Sequence, residues 1–256
     1  MPRMIRSLHC DGSANTILSS KKKRITMDPN TLPEYERSLL ENIKSKYTVA
    51  FEPFQIKEYK LHLLKMTDLE QVLDGRDPLK EVSTFPVWIK LWEAAIVLSE
   101  FIAGLSGEKE KKVLELGAGL GVPGLTAAAA GFSVTLSDRE DLVLDVERIN
   151  AAASKLKNVD FLRMDWHDPP DMERYDMVIG AEVLFHEKFF QPLLNVLRKA
   201  LKPDGAVYLA HDLKRRSLQP FLQMAEKEYR IAASQRRLKS FEGDTMILLT
   251  RLQPRC

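Results

Sequence analysis

Apolar positions change their period several times along the chain, and each change marks an element. From Leu32 the residues Leu32, Tyr35, Leu39, Leu40 and Ile43 fall at helical spacing, with Asn30 or Thr31 ahead of Pro33 as a start signal, so a small helix is predicted there. Val49–Ile56 and Tyr59–Met66 are apolar-rich runs parted by Lys57-Glu58, which predicts an antiparallel hairpin, with a turn or two of helix to follow over Asp68–Leu73. Beyond the turn-like Arg76-Asp77-Pro78, the positions of Leu91, Trp92, Ala95, Leu98, Phe101 and Ile102 predict one helix across Trp88–Leu105.

From Lys112 the punctuation alternates. Strands are predicted at Lys112–Leu116, Ser133–Ser137, Val159–Met164, Tyr175–Ile179 and Ala206–Ala210, with helices at Val122–Ala130, Asp141–Ala153, Lys188–Leu201 and Gln219–Lys227. Arg230–Ser234 and Thr245–Leu249 supply two last strands with no long helix between them, so they form a hairpin that turns one strand antiparallel. The expected class is α/β: seven strands in a mostly parallel sheet, flanked by helices joined through right-handed crossovers. Three regions result: a flexible arm over residues 1–29, an accessory helix and hairpin over 30–84, and the α/β domain over 85–256.

Composition narrows this picture only slightly. With 256 residues, 45% hydrophobic and 29% charged, the chain has the makeup of an ordinary globular protein with one full core and an extension. A net charge of +2 gives no whole-molecule field of the kind that attracts nucleic acid, and Lys21-Lys22-Lys23-Arg24 reads as solvated tail. Cys10 and Cys256, one near each end, build neither a disulfide framework nor a metal site, so no metal is expected. No apolar run reaches the roughly 20 residues that cross a bilayer, and no signal pattern opens the chain; the cytoplasm is the expected compartment, without membrane partners.

Candidate chemistry gathers at strand ends. Glu115-Leu116-Gly117-Ala118-Gly119-Leu120-Gly121 follows a buried strand and opens a helix, where glycines let backbone approach a ligand closely. Val122 stands where a dinucleotide fingerprint has its last glycine, and the Glu115 carboxylate repels a pyrophosphate but accepts from the amino group of a methionine moiety; both favour S-adenosylmethionine. Asp138, about 20 residues past the first glycine, suits ribose hydroxyls, with a helix cap as its plainer role. Asp165-Trp166 ends the third strand, offering an acceptor for an adenine amino group and an aromatic face; plain packing is the alternative for Trp166. Asp168-Pro169-Pro170-Asp171 follows the wrong strand, and ends in the wrong residue, for the Asn/Asp-Pro-Pro-Tyr element of amino-methylating nucleic-acid enzymes. Gly180-Ala181-Glu182-Val183-Leu184-Phe185 ends the fourth strand and delivers a carboxylate and an aromatic to the edge where an acceptor nitrogen belongs; the plainer reading has Glu182 capping the next helix and Phe185 packing under it. His211 at the end of the fifth strand reads as a satisfied surface residue or as pocket lining, and Lys214-Arg215-Arg216 as the solvated start of a helix.

Together these motifs resemble the seven-stranded, Rossmann-like lysine methyltransferases of methyltransferase family 16, over roughly Phe85 to Leu249. Trp92-Glu93-Ala94-Ala95-Ile96-Val97-Leu98 is similar to the family's Trp-x-Ala-Ala-x-x-Leu helix, Pro86-x-Trp88-x-x-x-Trp92 to its flavoprotein-directed branch, and Val113-Leu114-Glu115-Leu116-Gly117-Ala118-Gly119 to its first motif. Where the family has Asp-x-x-Tyr or Asp-x-x-Phe, this chain has Glu182-Val183-Leu184-Phe185. The resemblance implies Glu182 and Phe185 as catalytic residues and Trp92, Glu115, Gly117, Ala118, Gly119, Asp138, Asp165, Trp166 and Ala181 as contacts of S-adenosylmethionine. It further implies methyl transfer to a protein nitrogen, lysine above others. A small-molecule or RNA acceptor on the same fold and a non-catalytic binding domain are the competing readings. Nothing in the sequence specifies an oligomeric state.

Overall fold

A computed structural model describes residues 27–68, 70–71, 87–105, 111–239 and 243–255. Helix α1 (Glu34–Lys44) precedes strands β1 (Val49–Ile56) and β2 (Tyr59–Met66), which pair antiparallel from Val49↔Met66 to Ile56↔Tyr59 around a turn with Lys57 at φ 48. Most of the arm expected over residues 1–29, and Leu69, Val72 and Leu73 of the helical turn expected at Asp68–Leu73, lie outside the described residues.

The α/β unit comprises α2 (Glu93–Ile102), β3 (Lys112–Leu116), α3 (Val122–Ala129), β4 (Ser133–Asp138), α4 (Asp141–Ala153), β5 (Val159–Arg163), β6 (Tyr175–Ala181), α5 (Phe190–Ala200), β7 (Leu201–Asp212), α6 (Leu218–Ala225), β8 (Tyr229–Leu238) and β9 (Thr245–Pro254). Its seven strands lie in the order β5-β4-β3-β6-β7-β9-β8, all parallel except β9, which runs antiparallel to both its neighbours. Val113, Leu114 and Leu116 are fully buried, as a central parallel strand covered on both faces requires. One face packs against α2, α3 and α4 through Leu98, Leu125 and Ile149; the other packs against α5 and α6 through Leu193, Leu197 and Phe221.

The hairpin docks on α4 rather than extending the sheet. Leu61, Leu63 and Leu64 are buried beneath it, the Leu64 amide donates to Asn150 Oδ1 (2.6 Å) and the His62 amide to Ser154 Oγ (2.9 Å). The other end of the Asn150 amide donates to the Leu120 carbonyl (3.2 Å), inside the glycine loop.

Two sequence expectations need correction. The helix expected from Trp88 begins only at Glu93; Val87–Ile89 is a short 3-10 turn and Trp92 is the extended N-cap. The last three strands run longer than expected: the outer residues of β8 and β9 alternate polar and apolar along a half-exposed antiparallel end, and β7 starts early at Leu201, ahead of a polar stretch over residues 202–205, so a continuous apolar run marks none of these ends. Among the described residues, no helix is long and apolar enough to cross a membrane, and no cluster of side chains suits a metal ion.

Candidate active site

Strands β3, β4, β5 and β6 all end at one edge of the sheet, and the loop from β3 into α3 forms the floor there. Gly117 and Gly119 sit in the left-handed region at φ 57 and 59, and the space where each would carry a Cβ is already bordered, by Trp166 at 3.5 Å and by Trp88 at 3.5 Å. Any side chain at either position would be strained and would fill the cradle between the two tryptophans. Ala118 ties the loop to β4 by donating to the Ser137 carbonyl (3.1 Å) and accepting from the Gly121 amide (2.8 Å).

Asp138 closes the next strand and is not the helix cap, since the N-cap of α4 is Glu140 with no side-chain cap bond. Its Oδ1 accepts from the amides of Arg139 (2.7 Å) and Glu140 (3.2 Å), while Oδ2 faces the loop, 3.3 Å from the Gly119 amide. Burial raises its pKa, and the three amides partly offset that.

Glu115 corrects an expectation. Its side chain shares the Val113 face of β3, turned toward α3, where Oε2 accepts from the Gly124 amide (2.7 Å); it is buried, and burial pushes its carboxyl up to about 8. That carboxylate is committed inward, to the first turn of the helix, instead of outward to a ligand's amino group. Beside it, from α4, lies fully buried Glu147, which the sequence reading passed over. Its signal was there: Val143, Val146, Glu147 and Asn150 share one helical face, all buried.

Asp165 is half-exposed and accepts from the His167 amide (2.9 Å), which holds its carboxyl below the usual range. Trp166 turns its ring over Gly117 and meets Phe189 edge-on at 5.8 Å. Trp92 stands at the start of α2 with Lys90 over its ring at 4.8 Å; it is Trp88, one helical turn earlier in sequence, that packs on Gly119. The sequence flagged Trp88 only as part of a motif.

Ala181 ends β6, beside the loop's own strand β3, and Glu182 follows it directly. Glu182 takes a left-handed φ of 57, which a non-glycine residue holds only when its surroundings over-determine it. Here Oε1 accepts from the Asp212 amide (2.6 Å) and Oε2 is ion-paired with Arg215. Glu182 caps no helix. Burial raises its pKa, and the guanidinium opposes the rise.

Arg215 corrects the reading of Lys214-Arg215-Arg216 as solvated, and His211 corrects the surface alternative offered for it. His211 is fully buried; its Nε2 accepts from the Leu184 amide (3.2 Å), and burial pushes it down to about 3, so it is neutral. Ser217 Oγ donates to the Leu184 carbonyl, which fastens the same turn from the other side. Phe185 is 49% exposed, so it does not pack under the next helix; it leans on Phe189 at 4.9 Å, within a group of rings that includes Trp166, His167 and His186. The edge therefore holds a backbone cradle with a carboxylate on one side, and a clamped carboxylate flanked by exposed aromatics on the other. A nucleoside with a short polar tail fits the first, and a nitrogen needing orientation fits the second.

A sequence model of the lysine methyltransferase family matches residues 79–228. Over 128 residues the chain is 34% identical to protein N-lysine methyltransferase METTL21A of Danio rerio, covering 47% of this chain and 58% of that protein. It is 33% identical over 138 residues to EEF1A lysine methyltransferase 3 of Mus musculus, covering 52% and 59%. The chain thus spans just under three fifths of the length of these relatives. Among solved structures, a SAM-dependent methyltransferase from Agrobacterium tumefaciens superposes with a TM-score of 0.56 at 18% identity, over 80% of this chain and 70% of that one, a likeness of fold.

Proposed function

This chain belongs to the lysine methyltransferase family, and from that premise we propose that it transfers the methyl group of S-adenosylmethionine to a side-chain nitrogen of a protein, lysine first. The observation that carries this is the adjacency of the two half-sites: the glycine cradle follows β3, Glu182 follows β6, and the two strands are hydrogen-bonded neighbours. In this reading Gly117, Ala118 and Gly119 support the cofactor, Asp138 Oδ2 accepts from the ribose, and Asp165, Trp166 and Ala181 border the adenine and sulfonium, with Trp88 and Trp92 along the outer wall.

When bound, the cofactor would supply an electrophilic methyl carbon on a sulfonium able to leave with its electron pair. What the protein adds is mainly orientation, which accounts for several kcal/mol of barrier, about 7 or more at best. A lysine amine must first lose its proton, at a cost of about 4 kcal/mol near neutral pH that a buried, positively charged neighbourhood lowers. Glu182 orients the nitrogen and stabilises the alkyl-ammonium product, and Phe185 walls the acceptor chain.

A second reading is favoured by Arg215. Its ion pair leaves the slot near neutrality, which suits a nitrogen that is uncharged at working pH, such as histidine imidazole, better than an ammonium. Cysteine use supports the cytoplasm as the compartment.

The test is incubation of the purified protein with methyl-labelled S-adenosylmethionine and a whole-cell protein extract, followed by identification of the labelled amino acid. Methyl-lysine supports the first reading and methyl-histidine the second. Label confined to RNA or small molecules overturns both.

A further inference from the structure

Three carboxyl groups meet beneath the glycine loop, and each comes from a different element. Glu115 comes from β3, Asp138 from the end of β4 and Glu147 from α4. Glu147 is fully buried with neither oxygen hydrogen-bonded among the described residues, and its Cγ lies 3.6 Å from where Gly121 would carry a Cβ, directly under the loop. The charges that act on it are Asp138 and Glu115 from the two strands and, more weakly, Arg148 on its own helix. Arg148 is no counter-ion for the group, because its guanidinium lies over the Phe161 ring at 4.4 Å.

Like charges this close and this dry cannot all ionise. Backbone donors decide which one does. Asp138 is offered three amides, Glu115 one and Glu147 none. The single negative charge belongs on Asp138, the group that faces the ligand, and protons belong on the other two.

We propose that Glu147, together with Glu115, forms a proton-holding layer under the loop that must stay protonated for the cofactor to bind, so that cofactor affinity is linked to proton uptake. This rests on the cofactor reading above. Ionising either neighbour beside the charge already on Asp138 adds repulsion and disturbs the dry layer on which the loop rests, so proton binding and cofactor binding favour each other. The sign follows: affinity is highest at low pH and is lost as pH rises through the range where Glu115, near 8, and Glu147, raised well above the ordinary carboxylate range by burial, give up protons in the free protein. An ionised Glu147 draws water beneath the loop and loosens the cradle from below.

Calorimetric titration with S-adenosylhomocysteine tests this without any acceptor. The wild type, Glu147→Gln and the double variant Glu115→Gln with Glu147→Gln are compared at pH 6.5, 7.5 and 8.5, in buffers of low and high ionisation heat. The ligand's own ammonium titrates alike in all three proteins, so differences between them belong to the layer. We expect wild-type affinity to fall about fivefold or more from pH 6.5 to 8.5, with protons taken up on binding at the upper end, and the double variant to fall no more than about twofold, with the single variant between them. Parallel profiles in wild type and double variant, or a wild-type binding heat indifferent to buffer, overturn the proposal while leaving the cofactor reading intact; the buffer comparison needs no variant to fold. Absence of binding at every pH overturns the cofactor reading and this inference with it.

Discussion

The two sides of the candidate site are built by opposite strategies. On the cradle side the loop is held within about twenty residues of chain by contacts that each include backbone, two of them backbone to backbone: Ala118 amide to the Ser137 carbonyl, Gly121 amide to the Ala118 carbonyl, Gly124 amide to Glu115 and Gly119 amide to Asp138. On the Glu182 side the partners come from about thirty residues away and every contact depends on a side chain, one of them an ion pair between two: Glu182 with the Asp212 amide and Arg215, and His211 with the Leu184 amide. Backbone geometry tolerates change in few residue types, so it suits a ligand that stays the same. A lattice of side chains is changed one substitution at a time, which suits the part of the site that must differ between acceptors.

That contrast is broken or sharpened by separating binding from transfer. The largest effect is expected from Glu182→Ala: methyl transfer to the extract falls by about 10²–10³-fold, the scale of losing a preorganised electrostatic group, while calorimetric affinity for S-adenosylhomocysteine stays within about twofold. Comparable loss of both would merge the two sides into one unit. Asp138→Ala should do the reverse, weakening S-adenosylhomocysteine about 10- to 100-fold through lost charge-assisted hydrogen bonds, as the same titration would read.

Next in size is Gly124→Ala, where a Cβ would meet Leu136 and lie 2.5 Å from the Glu115 carboxylate. Denaturant unfolding should show a loss of about 1–3 kcal/mol from overpacking, with a lowered midpoint at constant slope. Arg215→Gln should leave folding intact and move the pH profile instead. Burial already lifts the Glu182 carboxyl and the guanidinium holds it back, so without Arg215 it rises further. Because the ionised form is the useful one, activity present at alkaline pH is then lost earlier as pH falls, and the acid limb of kcat/KM moves up by about one unit. The smallest effect is Phe185→Ala, a half-exposed ring, with KM for the protein acceptor raised about two- to tenfold at nearly unchanged kcat.

Most of the fold was legible because hydrophobic period is a local property. The alternation from Lys112 onward and the hairpin at Val49–Met66 needed no partner to be read, and the pairing observed for β1 with β2 and for β9 with β8 agrees with them. The interrupted start of α2 was not legible. Trp88 leaves the helical path to lie on Gly119, a contact 31 positions away that periodicity does not encode. At the site, the cradle and Asp138 were visible as a spacing, whereas the direction of Glu115 required strand parity: counting from Val113 assigns it to the α3 face, and the charge argument pointed it the other way. Arg215 was masked by its basic neighbours, since a run of three cations looks solvated until one finds a buried carboxylate. Glu147 was hidden for a similar reason, in a stretch whose acidic and basic residues resemble a wet helix surface.

Asn150 has one primary amide and two employers. Its oxygen is spoken for by the N-terminal ribbon and its nitrogen by the ligand loop, so each tenant of α4 helps keep the rotamer the other depends on. Trimming the chain back to the α/β unit would orphan that oxygen, and a neighbour tugging on the ribbon would be felt, through a single rigid plane of atoms, at the place where the loop turns. What looks like an appendage is thus a second handle on the cradle.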